Sequence, residues 1–209
     1  MSGQEYAACS LACFAEQARR EYQEIRSACF RNEALQAFDF SGLQFREVLF
    51  QNCRLQNCNF EQCEFEAVRF ERSDLSNSRF HQCGFYKTAF ASVKAAGASF
   101  PDAVWQSTEI SDSNFTYCNL SRSRIKSMEL LRSDFSDACF SECAHKQLHF
   151  REIRLCRTEF FRTLLEGIDL RSCDISGILV SDRMTELRGA VVDLLQAAEL
   201  ARKIGLIIC

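Results

Sequence analysis

The chain is 209 residues long, 47% hydrophobic and 25% charged, with a net charge of −3. That length holds one domain with a real core, and a charge so near neutral points to neither a strong nucleic-acid binder nor a polyanion. Three counts depart from ordinary usage: 19 Phe, 13 Cys and a single Pro.

The N-terminal stretch MSGQEYAACS lacks the basic and apolar regions of an export signal. No apolar run reaches the 18 residues of a membrane span, so no membrane association is expected. An odd cysteine count without an export signal predicts reduced thiols in the cytoplasm. Leu11, Phe14, Ala18, Tyr22 and Ile25 are spaced as one face of a helix. The first 24 residues are therefore expected to form an N-terminal cap, with a helix over about 10–24 or, as the alternative, an irregular first coil.

A period of five follows. Every fifth residue from Phe40 to Ile175 gives 28 positions, of which fifteen are Phe, seven Leu, three Ile and one Trp; Ala95 and His145 depart. Helices repeat at 3.6 and strands at 2, so a fixed period of five over this length is a solenoid. The predicted core is Phe40, Phe45, Phe50, Phe60, Phe65, Phe70, Phe80, Phe85, Phe90, Phe100, Trp105, Phe115, Phe135, Phe140, Phe150 and Phe160. Two places before the large residues small ones dominate, and seven of the cysteines occupy that slot: Cys53, Cys58, Cys63, Cys83, Cys118, Cys143 and Cys173. The chain is read as turning a corner every five residues, with the large and small residues inward and the other three in water. Cysteine in the small slot serves as a small hydrophobe. It is not the converging ligand set that zinc requires.

The segments SDLSN (73–77), CNLSR (118–122), SDFSD (133–137) and CDISG (173–177) resemble the pentapeptide-repeat family. The resemblance covers residues 25–192. It implies an all-β solenoid, a right-handed four-sided β-helix of twenty residues per coil. Residues twenty apart then stack, as in Phe40, Phe60, Phe80 and Phe100.

Near 181–185 the phase slips. Val180 is in register, but the next large residues, Leu187 and Val192, arrive two places late. Residues 193–209 form the last unit. Asp193 can cap a helix with Gln196 at the capping-box position. Arg202 and Lys203 suit its last turn, and Gly205 suits its stop. Leu194, Ala197, Ala198, Ala201 and Ile204 form the apolar face. LIIC at the end reads as a short strand that nothing in the chain covers.

The segment LRGAVVDLLQAAELARKIGLII resembles the C-terminal end of the Qnr-type quinolone-resistance proteins. This implies a homodimer built on Leu194, Ala198, Ala201, Ile204, Leu206, Ile207 and Ile208. It also implies a rod that imitates duplex DNA and binds the type II topoisomerases gyrase and topoisomerase IV, protecting them from quinolones or peptide toxins. Glu61, Glu64, Glu66, Glu71 and Asp74 are the outward acids that would meet the enzyme. No insertion interrupts the repeat between Phe40 and Val180, so the projecting loops of many Qnr-type proteins are absent and the chain is closer to loopless members. A scaffold for an unrelated protein is the alternative.

Catalytic chemistry is not expected. His145 falls on the inward phase and His149 on the outward one, so they cannot share a metal, and His145 is read as a core histidine with one hydrogen-bond partner. A closed tube of phenylalanines offers no cleft for a substrate. Neither cofactor, small-molecule substrate nor direct nucleic-acid binding is expected.

Overall fold

The computed structural model describes residues 10–208. Met1–Cys9 of the expected cap, and Cys209, lie outside the described residues.

Helix α1 (Leu11–Glu21) opens the fold, with Ser10 as N-cap accepting from the Cys13 amide. It buries Leu11, Ala15 and Ala18 on the first coil, and the Phe14 ring meets Phe30 edge-on at 5.4 Å. The helix stops sooner than its apolar spacing predicts. Tyr22 takes the left-handed C-cap conformation and is 98% exposed, and Ile25 already belongs to the first strand.

Short parallel strands then wind upward in register. Strands β1 (Ile25–Arg26), β3 (Gln44–Arg46), β5 (Glu64–Glu66) and β7 (Gly84–Tyr86) stack on one wall. On the next wall stack β2 (Cys29–Arg31), β4 (Leu49–Gln51), β6 (Arg69–Glu71) and β8 (Ala89–Ala91). The longer β9 (Val104–Ser111), β10 (Arg124–Leu131) and β11 (Ala144–Arg151) each run across both walls. The other two walls are columns of single bridges, such as Ala34↔Arg54↔Asp74 and Asp39↔Asn59↔Arg79. Six register steps of twenty residues link Ile25 to His145. We call the walls centred on Phe40, Phe45, Phe50 and Leu55 the first to fourth.

The interior is aromatic at the N-terminal end. Phe40, Phe60, Phe80 and Phe100 stack in one column at 4.7, 4.8 and 4.7 Å. Phe45, Phe65, Phe85 and Trp105 form a second, and Phe50, Phe70 and Phe90 a third. Phe115, Phe135, Phe140, Phe150 and Phe160 continue the buried core above, alongside Ile110, Leu120, Ile125 and Leu130. Each fully buried ring contributes about 1.5–3 kcal/mol.

Corners set the shape. From Ser27 to Arg162, the residue two places after each large one is left-handed. Its amide donates to a carbonyl one coil on, as from Asn52 to Glu71 at 2.9 Å. These inter-coil bonds offset the cost of a left-handed conformation in non-glycine residues.

The small slot is more polar than its composition implies. Cys63 donates its thiol to the Phe40 carbonyl at 3.0 Å, and Cys53, Cys58, Cys83 and Cys143 make the same bond twenty-three residues back. Ser73, Ser78, Thr88, Ser123 and Thr158 do so with hydroxyls. Cysteine is thus a weak donor here as well as an apolar filler. Burial pushes the Cys63 thiol up to about 12 and Cys143 up to about 11.

The phase slip near 181–185 is a two-residue insertion. The Phe160 amide donates to Leu179, nineteen residues on, whereas Leu165 donates to Glu186 and Leu170 to Val191, twenty-one on. Val180, Leu187 and Val192 remain packed against the core, half-buried. Glu186, which nothing in the sequence singled out, is buried there. Its carboxylate accepts from the Arg162 amide at 3.1 Å and from the Ser181 amide and hydroxyl at 3.2 and 2.7 Å.

Candidate interaction surfaces

An open solenoid end presents unpaired amides and carbonyls. Helix α2 (Leu194–Lys203) closes the C-terminal one. Its capping box is formed: the Gln196 backbone amide donates to the Asp193 carboxylate at 2.8 Å, and the Asp193 backbone amide donates to Oε1 of Gln196 at 2.9 Å. The remaining Gln196 amino group is buried and donates to the carbonyls of Leu170 and Cys173, both at 2.8 Å. Glu199 accepts from the Gly177 amide, and Lys203 donates to the Ile178 carbonyl. The coil edge is therefore met by polar residues three and four apart, with Leu200 half-buried among them.

The residues named for a dimer surface are unevenly exposed. Leu194 is 85% exposed, Ile204 is exposed, and Ala198 and Ala201 are half-buried. Leu195, absent from that expected face, is 81% exposed. The terminal Leu206, Ile207 and Ile208, expected as a short strand, are exposed and belong to no strand. An apolar end results, rimmed by Val191.

The five outward acids do not share a wall. Glu61 lies on the first wall, Glu64 and Glu66 on the second, Glu71 on the third and Asp74 on the fourth, so they ring a single coil. Most are already engaged. Glu61 is 3.3 Å from Arg79, Glu66 pairs with Arg46, Glu71 is 3.0 Å from Arg69, and Asp74 accepts from Gln56 at 2.8 Å. The Arg69 bond, with the Gln51 amide, holds the Glu71 carboxyl below the usual range. Glu64 is exposed without such a pair among the described residues. Across residues 25–192 there are 21 Arg and Lys against 22 Asp and Glu, so the rod lacks the uniform negative charge of a duplex.

His145 is half-buried at the wall, with Nε2 against the Leu164 carbonyl, and is not the core residue its phase implies. His149 is exposed. Among the described residues no group of three His, Cys, Asp or Glu could hold a metal. No described helix is long and apolar enough to cross a membrane.

Residues 53–135 match the model of the pentapeptide repeat region. The rod is a pentapeptide-repeat β-helix. Among solved pentapeptide-repeat structures, HetL of the cyanobacterium Nostoc sp. strain PCC 7120, described as involved in heterocyst differentiation regulation, is 13% identical. That match covers 88% of this chain and 97% of HetL, with a TM-score of 0.49. QnrB1, described as a plasmid-mediated fluoroquinolone resistance protein, is 19% identical in a trypsin-treated form. Coverage is 90% of each chain and the TM-score 0.46. A pentapeptide-repeat protein of the Arabidopsis thaliana thylakoid lumen is 12% identical, covering 83% of this chain and 88% of its own, with a TM-score of 0.25. No curated protein matches the sequence.

Proposed function

We propose that this pentapeptide-repeat β-helix is a non-catalytic binding rod that dimerises through its C-terminal end and engages a type II topoisomerase, gyrase or topoisomerase IV. Bound there, it modulates the enzyme or shields it from quinolones or peptide toxins. The observation that carries the dimer is the apolar end made by Leu194, Leu195, Ile204 and residues 206–208. Such a surface on a capped coil is unstable in water unless it is covered, and a second copy placed about a two-fold axis would cover both at once. Two rods joined end to end would give continuous polar walls of DNA-like length, and the sequence of this end resembles that of the Qnr-type proteins.

Glu64 is the acid best placed to meet a basic enzyme surface, since the others of its ring are held by arginines or Gln56. Complementary charge mostly sets encounter rate and specificity, so binding should weaken as salt rises. The balanced charge of the rod favours the second reading, a scaffold for an unrelated protein. A supercoiling and drug-induced cleavage assay with purified gyrase decides between them. Altered supercoiling or cleavage, diminished by Glu64→Lys, supports the topoisomerase reading. Absence of binding and of any effect at low salt leaves the scaffold.

A further inference from the structure

Arginines at the corners of the upper rod are neutralised from the coil below. Asp102 pairs with Arg122 at 2.9 Å, Asp112 with Arg132 at 2.7 Å, and Asp137 with Arg157 at 2.6 Å. The second wall breaks this rule. Between Gly84 and Gln147 its outward positions hold no Asp or Glu, yet Lys87, Arg124, Lys126 and Lys146 are all exposed there, and none pairs with a carboxylate among the described residues. Lys126 and Lys146 are direct register partners on β10 and β11. Like charges placed opposite one another on adjacent strands repel.

Small side chains lie beside the cations. Gly84, Val104 and Ala144 lie in the same outward rows. The Tyr86 ring lies over Gly84 so closely that a Cβ there would meet its Cε2 at 2.6 Å. Glu109 and Glu129 project from the third wall, past the left-handed corners Ser107 and Ser127.

We propose that this wall docks a short acidic segment of a protein partner in extended conformation. Three coil spacings separate Lys87 from Lys146, about 14 Å at the spacing of paired strands, which four or five extended residues span. Glu64 and Glu166 close the wall at its two ends, so a long polyanion such as nucleic acid would run from the cations onto carboxylates. The inference does not rest on the topoisomerase reading, which uses acidic positions and the C-terminal end.

The test is fluorescence anisotropy of a labelled hexaglutamate peptide with the full-length protein at low ionic strength. Binding that weakens with salt, and falls about tenfold or more in Lys126→Glu/Lys146→Glu, is expected, since the reversal sets like charges against one another at the contact. Lys94→Glu, an exposed lysine on the opposite, fourth wall, should leave it unchanged. Circular dichroism of both variants should match the parent, because these side chains leave the core untouched. The proposal is overturned by no peptide binding at low salt, by equal loss in the Lys94 variant, or by tighter binding of a single-stranded oligonucleotide through the same lysines.

Discussion

The rings of Phe60 and Phe80 lie 4.8 Å apart with 1° between their planes, one coil above the other. Phe80 is stacked from above as well, by Phe100 at 4.7 Å, and is fully buried. Its spacing is the spacing of the backbone coils, so neighbouring rings cannot collapse into a void without breaking the inter-coil bonds. Phe80→Ala is therefore expected to cost about 3–5 kcal/mol, read as a lowered urea midpoint. A loss below about 1 kcal/mol would mean that the column relaxes, contrary to close packing.

The small slot behaves differently. Cys63 occupies a position where other coils use Ser73, Ala98 or Val93. Its carbonyl partner, Phe40, also accepts the Cys63-equivalent turn bond from the Leu43 amide at 3.2 Å, so removing the thiol leaves no orphaned acceptor. Cys63→Ser and Cys63→Ala should both fold, with stability within about 1 kcal/mol of the parent. Thermal melts with metal analysis check this. Stoichiometric zinc lost in Cys63→Ala would replace the packing account with a metal site.

The repeat was legible because one residue type recurs at one phase: Phe40 to Phe160 predict the tube, and the delayed Leu187 and Val192 predict the insertion. What periodicity could not convey was polarity at the ends. In α2 the apolar spacing marks a face but not what meets the coil, and Gln196, Glu199 and Lys203 meet it because its edge offers bare backbone groups. The pairing of Glu61, Glu66 and Glu71 was hidden for a similar reason. Their partners Arg79, Arg46 and Arg69 stand on neighbouring coils or two residues away along the strand, where only the register shows which charges meet. Tyr22 failed for a local reason: the helix ends where Ile25 must enter the first coil.

Gln196 should matter more than an ordinary helix residue. One side chain completes the capping box and satisfies two carbonyls of the last coil. Gln196→Ala removes the return half of the capping box and leaves the Cys173 carbonyl without this donor, while the Leu170 carbonyl keeps the Cys173 amide, for an expected cost of about 1–3 kcal/mol. Hydrogen exchange should quicken across residues 165–203 and leave the stacked Phe coils unchanged. Uniform quickening throughout would show that the end does not open by itself.

The apolar end gives a direct test of assembly. Leu195 and Ile207 are 81% and 90% exposed, so Leu195→Glu with Ile207→Glu should not disturb the folded chain. A parent dimer at micromolar concentration and a folded monomeric variant, by light scattering, are expected. A monomeric parent would remove the dimer from the proposed function.

Glu186 ties the insertion to the rod through its charge. Burial acts to raise its pKa, but the bonds from Ser181, its own backbone and Arg162 outweigh this, and the carboxyl is held below its usual value. A group whose folded pKa is depressed contributes its stability above the unfolded value, about 4.3, and loses it as pH falls through the folded value. The last coil should thus be at full strength near neutrality and loosen below about pH 4. Glu186→Gln separates this carboxylate from the other acids. Oε1 accepts the Arg162 amide and Oε2 the Ser181 amide, so an amide side chain must set its own N–H₂ against one of those donors. That clash should cost about 1–3 kcal/mol near neutral pH. The gap between parent and variant should then narrow as the parent protonates. Matched melting temperatures at pH 7, or a gap that persists unchanged to pH 3, would show that the carboxylate charge does not hold the insertion in place.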